Sequence, residues 1–127
     1  MLTGKENNAL MATIDVSQTD LHVQFTLAER FAGLLRDITV PLATVRAVTV
    51  EPDGLSAARG IRAPGLAIPS RRKVGTWRRR GQRTAVSVRK GEPALRVQLN
   101  KGKYSELLIG TPDAEGLAHQ LDSSVRR

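Results

Sequence analysis

The sequence predicts a mainly β domain closed by one C-terminal helix. Three observations carry the prediction. Apolar and polar residues alternate in short runs, as in Leu95-Arg96-Val97-Gln98-Leu99, the period of a half-buried strand. Turn residues recur at roughly ten-residue spacing through the second half, as in hairpin-built sheets. From Thr111 onward the period changes: Ala114, Leu117, Ala118, Leu121 and Val125 recur on one face of a helix.

Each element follows from local chemistry. Residues 1–9 are polar and aperiodic, a loose start to a single domain spanning 10–125. Ile14 and Val16, then Leu21, Val23 and Phe25, alternate with polar neighbours, and Ser17-Gln18-Thr19-Asp20 between them reads as a hairpin turn. Leu27–Leu35 fits a short helix or an irregular crossing. Ile38 and Val40 make a strand stopped by Pro41, which has no amide to give a ladder, and the β-branched run Val45–Val50 makes the next. Pro52, Gly54, Gly60, Pro64, Gly65 and Pro69 mark Glu51–Arg72 as a long connection, with one helical turn near Asp53–Arg59. Lys73–Arg79, Arg83–Arg89, Leu95–Leu99 and Tyr104–Ile109 then read as a four-stranded antiparallel meander. Thr111 suits an N-cap, Pro112 the first helical position, and Asp113 and Glu115 the positive end of the dipole.

The strand order and the segments Ile38-Thr39-Val40-Pro41-Leu42-Ala43-Thr44-Val45-Arg46-Ala47-Val48, Gly60-Ile61-Arg62-Ala63-Pro64-Gly65, Ile68-Pro69, Gly75-Thr76-Trp77 and Tyr104-Ser105-Glu106-Leu107 before Thr111-Pro112-Asp113 are similar to small bacterial, actinobacterial pleckstrin-homology-like domains. The resemblance covers roughly residues 10–123. It implies a barrel or sandwich of seven to eight antiparallel strands capped by the terminal helix, and an adaptor or assembly role. Phosphoinositide-binding relatives carry basic residues around the first hairpin, whereas Ser17-Gln18-Thr19-Asp20 has none. The scaffold is therefore implied and the lipid specificity is not. Fold alone does not fix function.

Composition narrows the function further. Cysteine is absent, which excludes disulfides and thiolate metal sites. No apolar run reaches the ~20 residues of a membrane span, and the first residues lack a signal-peptide core. A cytoplasmic protein is expected, with peripheral contact on the inner membrane face left open. His22 and His119 fall on polar faces, and neither a nucleophile–base motif nor a phosphate-binding glycine loop occurs. A non-enzymatic protein without cofactor or metal is expected.

Charge is the strong feature. The formal net charge is +8, and 11 of the 20 basic residues lie between Arg59 and Lys90, a stretch without an acid. Arg71, Arg72, Lys73, Arg79, Arg80 and Arg83 are the candidate contacts for an anionic partner; a solvated face in an arginine-rich protein is the plainer reading. Successive meander turns lie at opposite sheet ends, so Arg79, Arg80 and Arg83 should share one end with Lys101 and Lys103. Arg71, Arg72 and Lys73 should share the other with Arg89 and Lys90. Two patches disfavour one long nucleic-acid groove, and only Trp77, with Tyr104 at a stretch, qualifies to stack a base; Trp77 is better suited to the core or its rim. Gly65-Leu66-Ala67-Ile68-Pro69 is an apolar stretch that tucks under the sheet or contacts a second chain. The leading expectation is a binding or scaffold module for a protein partner or an anionic membrane surface. Nucleic-acid binding through the arginine-rich segment 59–90 is the alternative, and a homo-oligomer stays open.

Overall fold

The structure, a computed structural model, describes residues 12–26, 30, 35–58, 61–68 and 72–125, with 61–68 as backbone alone. The loose start at 1–9, most of Leu27–Leu35, and Arg71 lie outside the described residues, and so do the side chains of Gly65–Ile68. Strands β1 (Thr13–Val16), β2 (Asp20–Gln24) and β3 (Ile38–Pro41) form an antiparallel three-stranded sheet. Its first turn is made as the sequence predicts: the Ser17 hydroxyl accepts from the Asp20 amide at 2.9 Å. A 3-10 turn, Leu42–Thr44, leads into β4 (Val45–Glu51) and then a short helix, α1 (Gly54–Ala57), whose Ser56 amide donates to the Asp53 carboxylate at 3.5 Å.

The second sheet has six strands: β4, β5 (Ile61–Ile68), β6 (Arg72–Arg79), β7 (Gln82–Arg89), β8 (Ala94–Leu99) and β9 (Glu106–Gly110). Their order across the sheet is β4-β8-β9-β7-β6-β5. The eight strands read from the sequence are all present. The ninth, β5, occupies the stretch read as a connection. Proline and glycine are tolerated there because β5 is an edge strand and its pairing with β6 is irregular between Arg62 and Gly65.

The meander is corrected. β6 and β7 do form a hairpin, and so do β8 and β9, but β9 inserts between β7 and β8. It runs parallel to β7, with Thr84 opposite Glu106 and Ser87 opposite Ile109, so the sheet is mixed rather than wholly antiparallel. The reason lies in side-chain chemistry. Leu107, Leu108 and Ile109 are each at most 1% exposed, and a strand apolar on both faces belongs in a sheet's interior. Leu107 and Ile109 join the main core with Leu21, Val23 and Leu121, while Leu108 joins a second cluster with Trp77, Val86, Val88 and Ala57 on the opposite face. Residues 90–93 bridge from β7 to β8 over the end of β9, where the Thr111 amide donates to the Pro93 carbonyl at 3.0 Å. Two strand spacings are about 9.5 Å, a gap four residues cross without strain.

Of the barrel or sandwich expected, the closed barrel is not formed: the two sheets share a core and do not close into one ladder. The terminal helix α2 (Ala114–Val125) lies against β1, the 3-10 turn, β4 and β8, and so spans both sheets. Ala114 and Leu121 are fully buried, and Leu117 and Ala118 are half-buried. Val125, placed on this face by its spacing, is exposed at 37%, because the helix has passed the sheet by its last turn. The helix begins after Thr111 and Pro112, with the Leu117 amide bonded to the Asp113 carbonyl at 3.0 Å. Thr111 still contributes by accepting from the Asp113 amide at 3.4 Å.

One charged network fastens α1 to the outer face of the larger sheet. Arg96 donates to Glu51 at 2.8 Å, to Glu106, and to the Ala57 carbonyl at 3.2 Å. These groups come from β8, β4, β9 and α1, and the Arg96 side chain is only 20% exposed. Truncating a half-buried charge strands its partners, a larger loss than the pair's own net worth.

Three stability outcomes follow. Leu121→Ala should lower unfolding free energy by about 2–5 kcal/mol, whereas Val125→Ala should stay within about 0.5 kcal/mol, both read by urea denaturation. Gly54→Ala should destabilise by about 1–3 kcal/mol although alanine favours helix by about 1 kcal/mol. An added Cβ there sits 2.9 Å from Ala94 Cβ and 3.2 Å from the Glu92 carbonyl oxygen. Arg96→Met should cost about 2–4 kcal/mol, and adding Glu51→Gln and Glu106→Gln should recover part of it.

Candidate functional site

Although the meander is wrong, the strand directions it implied survive, because β9 runs with β7 whether or not β8 separates them. The β6–β7 turn and the β8–β9 connection therefore lie at the same end of the sheet. Contacts fix this directly: the Arg83 amide donates to Ser105 Oγ at 3.1 Å, and the Ser105 amide donates to the Arg83 carbonyl at 2.9 Å. Arg79, Arg80, Lys101 and Lys103 are exposed at this end, and Arg83 is half-buried beside them. Lys103 sits over the Tyr104 ring, its Nζ 5.5 Å from the centroid. Among the described residues, no ion pair engages any of these five cations.

The turn carrying Arg80 is set by backbone geometry. Arg79 pairs with Gln82, leaving Arg80 and Gly81 as a two-residue loop with φ of 51° and 80°. Left-handed values at both central positions make the primed turn that matches strand twist. Glycine and asparagine adopt this region at little cost, whereas arginine gives up about 1 kcal/mol. A cation is thus held at the apex at a small expense in stability.

The opposite end differs. Arg72 lies opposite Arg89 across the β6–β7 ladder, and both residues already have interaction partners, as does Glu92 in the nearby bridge. Lys73 donates from Nζ to the carbonyls of Leu55 and Ala58, each at 3.1 Å. It ties down the end of α1, the last free carbonyls of a short helix. The six sequence candidates are therefore not equivalent. The structure brings Arg79, Arg80 and Arg83 together and sets Arg72 and Lys73 apart from them by the length of β6, about 23 Å at 3.3 Å per residue. Sequence reasoning left Lys101 and Lys103 out of the candidate set, although the turn Asn100-Lys101-Gly102-Lys103 at the same sheet end was the signal for them.

Other candidate chemistry is sparse. Among the described residues, no group of three or more His, Asp or Glu converges as a metal site, and no helix is long and apolar enough to cross a membrane. His22 shares a 2.9 Å hydrogen bond with Thr39 on the small sheet, and His119 is exposed on α2. Trp77 is 4% exposed in the second cluster. A polar recess of about 380 Å³ lies beside Arg79, and its Arg96, Glu51 and Glu106 are committed to one another.

Comparison of the chain with protein-family models, with curated proteins and with solved structures finds no match in any of the three.

Proposed function

We propose that the chain is a non-enzymatic binding module that engages an anionic surface, best matched by an acidic membrane face, through the end formed by the β6–β7 turn and the β8–β9 connection. The observation that carries this reading is the gathering of Arg79, Arg80, Arg83, Lys101 and Lys103 at one sheet end with no acidic partner among the described residues. Juxtamembrane cations each add about 1 kcal/mol of attraction to an acidic leaflet. Phosphate and carboxylate groups suit arginine especially, since its planar fork donates two parallel bonds. Burial of Trp77 weighs against the nucleic-acid alternative, which gains from exposed aromatic platforms. A cytoplasmic, pleckstrin-homology-like bacterial adaptor fits the two sheets and terminal helix, and the parallel β7–β9 pair is the feature that departs from that family pattern.

Sedimentation with vesicles tests the reading. The protein should pellet with vesicles containing phosphatidylglycerol and stay in solution with phosphatidylcholine alone. Replacing Arg79, Arg80 and Arg83 by Gln should weaken pelleting about 100-fold, from about 1 kcal/mol per charge. Arg80→Asn separates binding from folding. It should raise stability by about 1 kcal/mol, about 4 °C in Tm, while weakening vesicle binding about fivefold. Unchanged pelleting of the triple variant overturns the proposal. A DNA gel shift that falls steeply with salt, without vesicle binding, transfers the site to the nucleic-acid alternative.

A further inference from the structure

Beside the basic end, and sharing Lys101 and Lys103 with it, lies a groove whose apolar interior the proposed surface contact does not use. It runs between β3 and the β8–β9 connection, with a volume of about 510 Å³, within the ~300–1,000 Å³ typical of small-molecule sites. Its apolar lining comes from Ile38 and Val40 on one wall and Leu99 and Tyr104 on the other. Arg36, Lys101 and Lys103 stand along its rim, all three exposed. Among the described lining residues the one acid is Asp37, which accepts from the Arg30 guanidinium at 2.7 Å and from the Phe25 amide at 3.0 Å. Among the described residues the groove therefore combines an apolar interior with three rim cations and one carboxylate, already paired with Arg30.

We infer that this groove binds a small amphipathic anion, an apolar chain or ring carrying one acid group, with its body between Val40 and Leu99 and its head at Lys101 and Lys103. Charge complementarity selects the sign of the ligand, and the apolar walls select the body. The backbone argues against an added peptide strand as occupant. The Leu42 amide donates to the Thr19 carbonyl at 2.9 Å, which sets the ladder phase so that Val40 and Ile38 bond β2, opposite Leu21 and Val23. Thr39 and Pro41 then face outward, and Pro41 has no amide to donate. An edge with a single donor between two positions gives a peptide little ladder to join, whereas a small ligand needs none.

The test uses the full chain and the fluorescent amphipathic anion anilinonaphthalene sulfonate. Its emission should rise with saturable one-site binding. Laurate should displace it, while acetate, which lacks the body, and dodecyltrimethylammonium, which reverses the charge, should not. Lys101→Glu with Lys103→Glu alters only exposed side chains and should weaken dye affinity at least tenfold. Replacing Arg79, Arg80 and Arg83 by Gln should weaken dye affinity far less than the two lysine substitutions, which separates this site from the vesicle-binding surface. Amide resonances of residues 38–40 and 99–104 should shift on adding laurate. Dye affinity unaffected by the two lysine substitutions, displacement by the cationic amphiphile as readily as by laurate, or resonance shifts confined to other elements would each overturn the inference.

Discussion

The run Leu107-Leu108-Ile109 is apolar on both sides of the strand it forms, so both of its faces have to be covered. A position between β7 and β8 supplies hydrogen-bonding neighbours on both edges and leaves the faces for packing. Main-core residues cover one face, with Leu121 of α2 among them, and the cluster beneath α1 covers the other. Burying three such side chains contributes about 5–8 kcal/mol of transfer free energy, large beside the 5–15 kcal/mol net stability of a typical domain. Much else follows from that placement. The bridge 90–93 has to pass over the end of β9, α1 has to lie on the outer face, and the polar half of that face has to satisfy its own charges. Arg96 does so by reaching two carboxylates and a helix carbonyl at once.

The same placement makes the two ends of the larger sheet electrostatically unlike. Near the bridge, Arg72, Arg89 and Glu92 all have interaction partners, and the carbonyls of Leu55 and Ala58 hold Lys73. Lys73 shows this most plainly, since its ammonium is used to hold a helix end. At the other end the β6–β7 hairpin runs past the start of β9 and projects a turn beyond it, where no ion pair engages Arg79, Arg80 or Arg83 among the described residues. The two ends are about 23 Å apart along β6, against a screening length of about 8 Å at physiological salt. Charge at one end is thus nearly invisible from the other. What looks in sequence like one basic stretch is split in space into an exposed cationic end and a far end where Lys73 serves as an internal tether.

Features decided by neighbours in the chain were legible in the sequence. Alternation located β8, Ser17 and Asp20 marked their turn, and Leu121 appeared on the buried helix face. Features decided by contacts between distant segments were not. Nothing local says that Glu106 sits opposite Thr84 rather than beside Gln98 alone, although the unbroken apolar run 107–109 was a usable clue that this strand is central. β5 was hidden by Pro64 and Gly65, residues that disfavour a strand in general and are acceptable at an irregular edge. Lys73 reads as one more surface cation until α1 is placed against it. For the candidate site, the grouping of Arg79, Arg80 and Arg83 at one sheet end was legible because only strand direction mattered. Arg36 carried no signal at all, since its relation to Lys101 and Lys103 exists only after the two sheets stack.

Arg80 joins the energetics of the fold to the reading of its surface. An arginine with φ of 51° gives up about 1 kcal/mol that asparagine or glycine would keep, in a turn where Gly81 already supplies one left-handed position. The lost stability is affordable within a typical domain's margin, and it places a guanidinium at the farthest point of the hairpin, where solvent access is greatest. Lys101 and Lys103 stand behind it, shared between that apex and the rim of the apolar groove. A bound anion in the groove would neutralise part of the charge that faces a membrane, so occupancy of one site should weaken the other. The coupling needs no conformational change. At separations within the screening length, it requires only that both ligands carry the same sign.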